Sequence, residues 1–168
     1  MKNIVLIGMP GAGKSTIGVI LAKSLLFGFC DTDLSIQKAT GESLCDTISK
    51  IGIEEFIKLE DEIIRQQEFV NSVVATGGSA VYGAKAMEKL KENGIIVYLK
   101  VSPEELQTRI KNIHTRGIAM KEGTSISELY LERAPLYEKY ADITVDCDGK
   151  TAEECVDLII HRIGAIYE

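Results

Sequence analysis

Eight consecutive residues carry the strongest chemical signal in the chain: Gly8-Met9-Pro10-Gly11-Ala12-Gly13-Lys14-Ser15, followed by Thr16. They fit G-x-x-x-x-G-K-[ST] at every fixed position, between an apolar run from Asn3 to Ile7 and a helical pattern from Lys14. The needs of a polyphosphate explain each part. Glycines let the backbone curl until successive N–H groups point at phosphate oxygens, and the start of the following helix adds its positive end. Lys14 brings a mobile charge to the outer phosphates, and the Ser15 hydroxyl is a ligand for Mg²⁺. Gly11, Ala12, Gly13, Lys14, Ser15 and Thr16 are the expected contacts to the nucleotide, with ATP and Mg²⁺ as the expected cofactors.

A cation held this way also needs a carboxylate. The usual acid at the end of an apolar strand is missing from both Val73–Ala75 and Ile95–Val101. Asp31 is the natural candidate, because it closes a short apolar run where a doubly wound sheet presents its ligand-binding edge. No N-K-x-D run is present to recognise a guanine base.

The elements that must position these groups alternate along the chain. After the first strand and helix, a short strand from Phe27 to Cys30 leads into Asp31-Thr32-Asp33. Residues 34–69 read as helices, with Phe56, Leu59, Ile63 and Ile64 on one face. Val73 to Thr76 is a β-branched strand ending in Gly77-Gly78. A polar helix from Ala84 to Glu92 stops at Asn93-Gly94, and Ile95 to Val101 is the next strand. Ser102-Pro103 reads as an N-cap with proline at the first helical position. The stretch from Ile113 to Thr124 has no period and two glycines, which reads as a loop. A helix to about Tyr140, a strand at Ile143 to Val145 and a final helix from Thr151 complete the chain. Strands alternating with helices imply one α/β domain over residues 1–168, a parallel sheet of about five strands covered by helices on both faces.

Charge and composition narrow the partners. The net charge is −6 and no basic block exists, so the chain lacks the surplus of cations that nucleic-acid binding needs. No apolar stretch approaches a membrane span. The opening MKNIVLIGMPG could mimic a signal peptide, but GAGKST stands where a cleavage site should be, so it reads as the first strand. Cys30, Cys45, Cys147 and Cys155 show no C-x-x-C spacing. Reduced thiols, a cytoplasmic location and a monomer are the expectation.

Several motifs in register add a resemblance. Phe29-Cys30-Asp31-Thr32-Asp33 fits F-x-D-x-D, Ala75-Thr76-Gly77-Gly78-Ser79 keeps two of three glycines in a Gly-rich turn, and Arg133-Ala134-Pro135-Leu136-Tyr137 fits R-x-P-x-Y. With the phosphate loop, in this order and spacing from residue 3 to about 146, the chain resembles the shikimate kinases. The resemblance implies a P-loop NTPase fold like that of the nucleoside monophosphate kinases, with a substrate-binding helical segment at about 33–69 and a lid at about 113–124. It implies phosphoryl transfer from ATP to a small-molecule hydroxyl, that of shikimate first. Asp31 and Ser15 would hold Mg²⁺. Asp33 would orient the attacking hydroxyl and accept its proton; the competing reading is an N-cap for the helix that starts near Leu34, and the two roles can coexist. Gly77 and Gly78 would let the substrate approach the backbone, and Arg133 would pair with its carboxylate. Arg116 would be the lid arginine over the transferred phosphate, and Arg109 would lie against adenine.

Two departures bear on the acceptor. The family's G-E-x-x-F-R-x-x-E is here Gly52 to Glu60 with Ile57 in place of the arginine, and the adjacent Lys58 need not face the same pocket. In the lid, Gly117 follows Arg116 where the family has proline, which should loosen it. Glu60 would orient an arginine or simply be solvated. The rival readings are a kinase of another hydroxylated metabolite and a nucleotide-binding protein without turnover.

Overall fold

The computed structural model describes residues 2–111 and 116–167. Its centre is β1 (Asn3–Ile7), buried along its whole length. A strand that is apolar from Ile4 to Ile7, rather than alternating, needs a sheet covered on both faces. The other strands are β2 (Gly28–Asp31), β3 (Ser72–Ala75), β4 (Gly94–Lys100) and β5 (Ile143–Asp146). They pair in the order β2-β3-β1-β4-β5, and every pairing is parallel. Register places Leu6 and Asp31 on either side of Ala75. The phosphate loop, Asp31 and the Gly77–Gly78 turn therefore leave the sheet along one edge, where such folds bind ligands.

The helices that cover the sheet start where their chemistry allows. Helix α1 (Lys14–Leu25) follows the phosphate loop directly. The stretch expected as helical is three pieces: α2 (Thr32–Thr40), α3 (Leu44–Ile51) and α4 (Ile53–Gln66). Asp31, and not Asp33, caps α2, because its side chain accepts a 2.9 Å hydrogen bond from the Asp33 N–H. That excludes the N-cap alternative for Asp33 and leaves its carboxyl free for other work. A 3₁₀ turn (Ala80–Tyr82) leads to α5 (Ala84–Glu92), with Asn93 as its C-cap. Ser102 caps α6 (Pro103–Arg109) as its sequence implies, and a capping box from Ser125 to Glu128 opens α7 (Ile126–Tyr140). Helix α8 (Ala152–Tyr167) closes the fold.

Most buried apolar side chains form one cluster around the sheet. A second, smaller cluster joins Ile36, Phe56, Ile63 and Ala119, so α2, α4 and the segment after Arg116 share a core of their own. Residues 116–124 of the stretch expected as a loop contain neither helix nor strand, while Ile113, His114 and Thr115 lie outside the described residues. Among the described residues no disulfide joins any of the four cysteines. Among the described residues no helix is long and apolar enough to cross a membrane.

Phe56 is 2% exposed in the smaller cluster, whereas Leu131 on α7 is 74% exposed. Phe56→Ala is expected to cost about 3–5 kcal/mol in urea denaturation, through lost transfer and a cavity. Leu131→Ala should stay within about 0.5 kcal/mol of wild type. Equal losses would mean that the second cluster is not a core.

Candidate active site

The phosphate loop curls as its sequence requires, with positive φ at Gly11 (84°) and Gly13 (92°). Lys14 is 8% exposed, and its Nζ donates to the carbonyls of Gly8 (2.7 Å) and Met9 (2.9 Å). Burial depresses its pKa to about 8, against a smaller opposing pull from Asp33. The lysine thus spans the loop like a strut, with its charge directed to where outer phosphates would lie. Beside it, the Ser15 hydroxyl donates a 2.7 Å hydrogen bond to Asp31 Oδ2. A hydroxyl and a carboxylate at that distance, next to a phosphate-binding loop, form a hard oxygen pair suited to Mg²⁺, which keeps waters and phosphate oxygens as its other ligands. Among the described residues no cluster of three or more His, Cys, Asp or Glu competes as a metal site.

A cavity of about 130 Å³ opens beside the loop. Lys14, Ser15, Asp33, Gly77, Gly78, Arg116 and Arg133 all line it, so residues far apart in sequence meet in one place. Burial, and then the neighbouring Asp31 charge, raise the Asp33 pKa, which makes its carboxyl a stronger base. Arg133 is 1% exposed, which removes it from the class of solvated helix arginines. Its Nη2 donates to the Ala119 carbonyl at 2.7 Å, its guanidinium lies 5.4 Å from the Tyr82 ring centre, and its Nε has no partner among the described residues.

The Gly77–Gly78 turn is the wall between these groups. A Cβ on Gly77 would stand 2.6 Å from Asp33 Oδ1, and one on Gly78 would stand 2.9 Å from Arg133 Nη1 and 2.8 Å from Pro10. Any side chain there would displace the groups that face the acceptor. Two residues that motif reasoning assigned no role pin the turn. Thr32 Oγ1 accepts from the Gly77 N–H at 3.1 Å, and the Tyr137 hydroxyl donates to the Gly78 carbonyl at 2.7 Å. Threonine beside Asp31, and tyrosine closing R-x-P-x-Y, were the available signals.

Arg109 is half-buried and tied down, pairing with Glu105 at 2.7 Å and donating to the carbonyls of Ala12 and Cys147. With Gly13, Thr16, Lys150 and Cys155 it borders a second hollow of about 400 Å³ on the far side of the phosphate loop. The lid departure has an unexpected consequence. Gly117 takes φ +69°, and a Cβ there would meet Leu44 and Cys45 at under 3 Å, so glycine lets the lid lie against α3. Proline, fixed near −65°, could not adopt that backbone. Lys58 pairs with Glu55 at 2.9 Å on the exposed face and does not line the central cavity. Glu60 is 1% exposed, which excludes the solvated alternative, and Ser79 donates to its Oε1 at 2.6 Å.

A parallel sheet with a phosphate loop at its central strand, and an acid and an arginine across a small cavity from its lysine, defines a P-loop small-molecule kinase. The comparisons with known proteins narrow this. A family model described as Shikimate kinase matches residues 10–164, and the chain belongs to the shikimate kinase family. It is 40% identical over 163 residues to the shikimate kinase of Thermodesulfovibrio yellowstonii, covering 95% of this chain and 94% of the other. With that of Caldanaerobacter subterraneus subsp. tengcongensis it shares 39% over 163 residues, 95% of each chain. Among solved structures, shikimate kinase from Acinetobacter baumannii in complex with shikimate superposes with a TM-score of 0.90 at 31% identity, covering 98% of this chain and 94% of that one. Thymidylate kinase from Candida albicans, at 14% identity and a TM-score of 0.68, shares the fold alone.

Burial raises the Glu60 pKa to about 7, from an ordinary value of 4.5. The unfolded chain releases this proton near 4.5 while the folded chain keeps it, so folding stability falls as pH rises from there and levels off above about 7. The loss is on the order of 3 kcal/mol. Glu60→Gln should flatten that part of the stability profile, measured by urea midpoints from acidic to neutral pH. An unchanged slope would place the titration elsewhere.

Proposed function

We propose that the chain transfers the γ-phosphoryl group of ATP to a hydroxyl of shikimate, forming shikimate 3-phosphate and ADP with Mg²⁺ as cofactor. The observation that carries this reading is the single cavity lined by Lys14, Asp33, Arg116 and Arg133. Mg²⁺ bound at Ser15 and Asp31 would neutralise phosphate charge. The acceptor's carboxylate would pair with Arg133, whose Nη1 faces Gly78 and whose Nε has no partner among the described residues. Its reacting hydroxyl would lie against Asp33. As the oxygen–phosphorus bond forms, that hydroxyl's proton passes to the Asp33 carboxylate, and the bond to the ADP oxygen breaks with its electrons staying on ADP. Lys14, and Arg116 from the lid, would meet the charge spread over the transferring group. Support comes from family membership and from the solved relative that holds shikimate.

The test is coupled ADP release over a panel of hydroxy acids, polyols and amino acids. Shikimate should be the best acceptor. A polyol or amino acid used better would shift the acceptor class, and no turnover with any member would favour a binding protein without catalysis. Lys14→Ala should abolish transfer in a folded protein. Asp33→Asn should cut kcat by about 10²-fold or more, as loss of a general base does, with ATP affinity little changed. Lost ATP affinity with normal kcat would move Asp33 to the metal.

A further inference from the structure

Behind the Gly77–Gly78 turn lies a carboxyl that the reaction above does not use. Glu60 on α4 is 1% exposed, and the Ser79 hydroxyl donates to its Oε1 at 2.6 Å. Its Oε2 has no partner, and no cation forms an ion pair with it, among the described residues. Oε2 stands 2.7 Å, and Asp33 Oδ1 2.6 Å, from the one point that a Cβ on Gly77 would occupy. Glu60 and Asp33 therefore converge on the one space that the missing side chain of Gly77 leaves open.

A carboxyl withdrawn from water needs a partner, and a hydroxyl or a guanidinium can serve. Position 57 precedes Glu60 by three residues on α4, so the two share a stripe of the helix. Ile57 borders a groove with Tyr82, the ring that faces Arg133. A long cationic side chain at 57 would come within reach of Glu60, and an isoleucine has nothing to offer it. Ser79 meets the need from the opposite side while also lining the central cavity.

We propose that Ser79 determines acceptor specificity: its hydroxyl takes the place of a cation at position 57 as partner of Glu60, and this bond fixes the Gly77–Gly78 wall so that Arg133 recognises the acceptor's carboxylate without a second guanidinium from α4. Ser79 is a positioning residue, and the proposal rests on the reading that the acceptor is a hydroxylated carboxylate. Four groups face Glu60: Ser79 from the turn, Asp33 from α2, Arg133 from α7 and Lys14 from α1. Asp33 opposes ionisation of Glu60, the other three favour it, and burial outweighs them. Removing the Ser79 hydroxyl therefore pushes the titration of Glu60 upward, and a cation at 57 pulls it down.

The experiment is a double-mutant cycle of Ser79→Gly and Ile57→Arg with shikimate as the probe, checked by thermal melts, with Ser79→Ala as the second variant should the glycine fail to fold. Alone, Ser79→Gly should raise KM for shikimate about tenfold, the size of one buried hydrogen bond, with a far smaller change in kcat. In the Ile57→Arg background the same substitution should leave KM unchanged or lower it. Equal effects in both backgrounds, or no effect on KM in either, overturn the proposal. A second readout needs no acceptor: ¹³C NMR titration of the Glu60 carboxyl. Its midpoint should rise with Ser79→Gly alone and not in the arginine background, and equal rises overturn the proposal whatever the acceptor. Coupled NMR shifts in a protein that does not phosphorylate shikimate would retain the Ser79–Glu60 pair and reject the acceptor reading instead.

Discussion

The site depends on a single crowded turn. Asp33, Glu60, Arg133 and Pro10 each come within 3.0 Å of a Cβ position on Gly77 or Gly78. Base, buried acid, guanidinium and phosphate loop can converge only because those two residues have no side chains. Hydrogen bonds from the Gly77 N–H to Thr32 and from the Tyr137 hydroxyl to the Gly78 carbonyl replace the packing that side chains would have supplied. An acceptor placed against this wall is held next to the nucleotide's outer phosphates, and such proximity is a large part of catalysis.

The sheet sets up this crowding. With β1 central and all strands parallel, the carboxyl ends of β1, β2 and β3 lie side by side. Each contributes the first residues beyond its end: the phosphate loop, the Asp31–Asp33 pair and the Gly-rich turn. The side chains that complete the cavity come from elements far along the chain, with Arg133 on α7 and Arg116 in the segment between α6 and α7. Arg133 also donates to the carbonyl of Ala119, whose side chain joins the small core of α2 and α4. One buried guanidinium therefore links the central cavity to the segment that follows Arg116.

Electrostatics follow from burial. Lys14 and Glu60 are both pushed towards their neutral forms, and Asp33 is pushed towards its protonated form, by loss of water more than by any neighbour. Bound phosphates would reverse the balance for Lys14, since an anion in a low-dielectric site favours its charged form. Burial of these groups carries the stability cost usual for groups organised for function.

Much was legible in the sequence because local chemistry dictates it. The phosphate loop, the order of strands and helices, the cap at Ser102, and the parallel α/β class follow from glycine spacing, periodicity and short polar side chains acting over a few residues. Asp33, Gly77, Gly78, Arg116 and Arg133 were named from motifs, and the fold gathers them around one cavity, with Asp31 hydrogen-bonded to Ser15, which also lines it. Sequence could not decide between an N-cap and a free carboxyl for Asp33, since Asp31, two residues away, is equally able to cap α2. It could not tell a solvated Glu60 from a buried one, because a partner 19 residues away in sequence, Ser79, makes the difference. Nor could it show that Gly117 seats the lid on α3, where two backbones distant along the chain approach too closely for a Cβ. Local spacing specifies what a residue can do, whereas burial and long-range neighbours, which only the folded chain assembles, decide which of those capacities it uses.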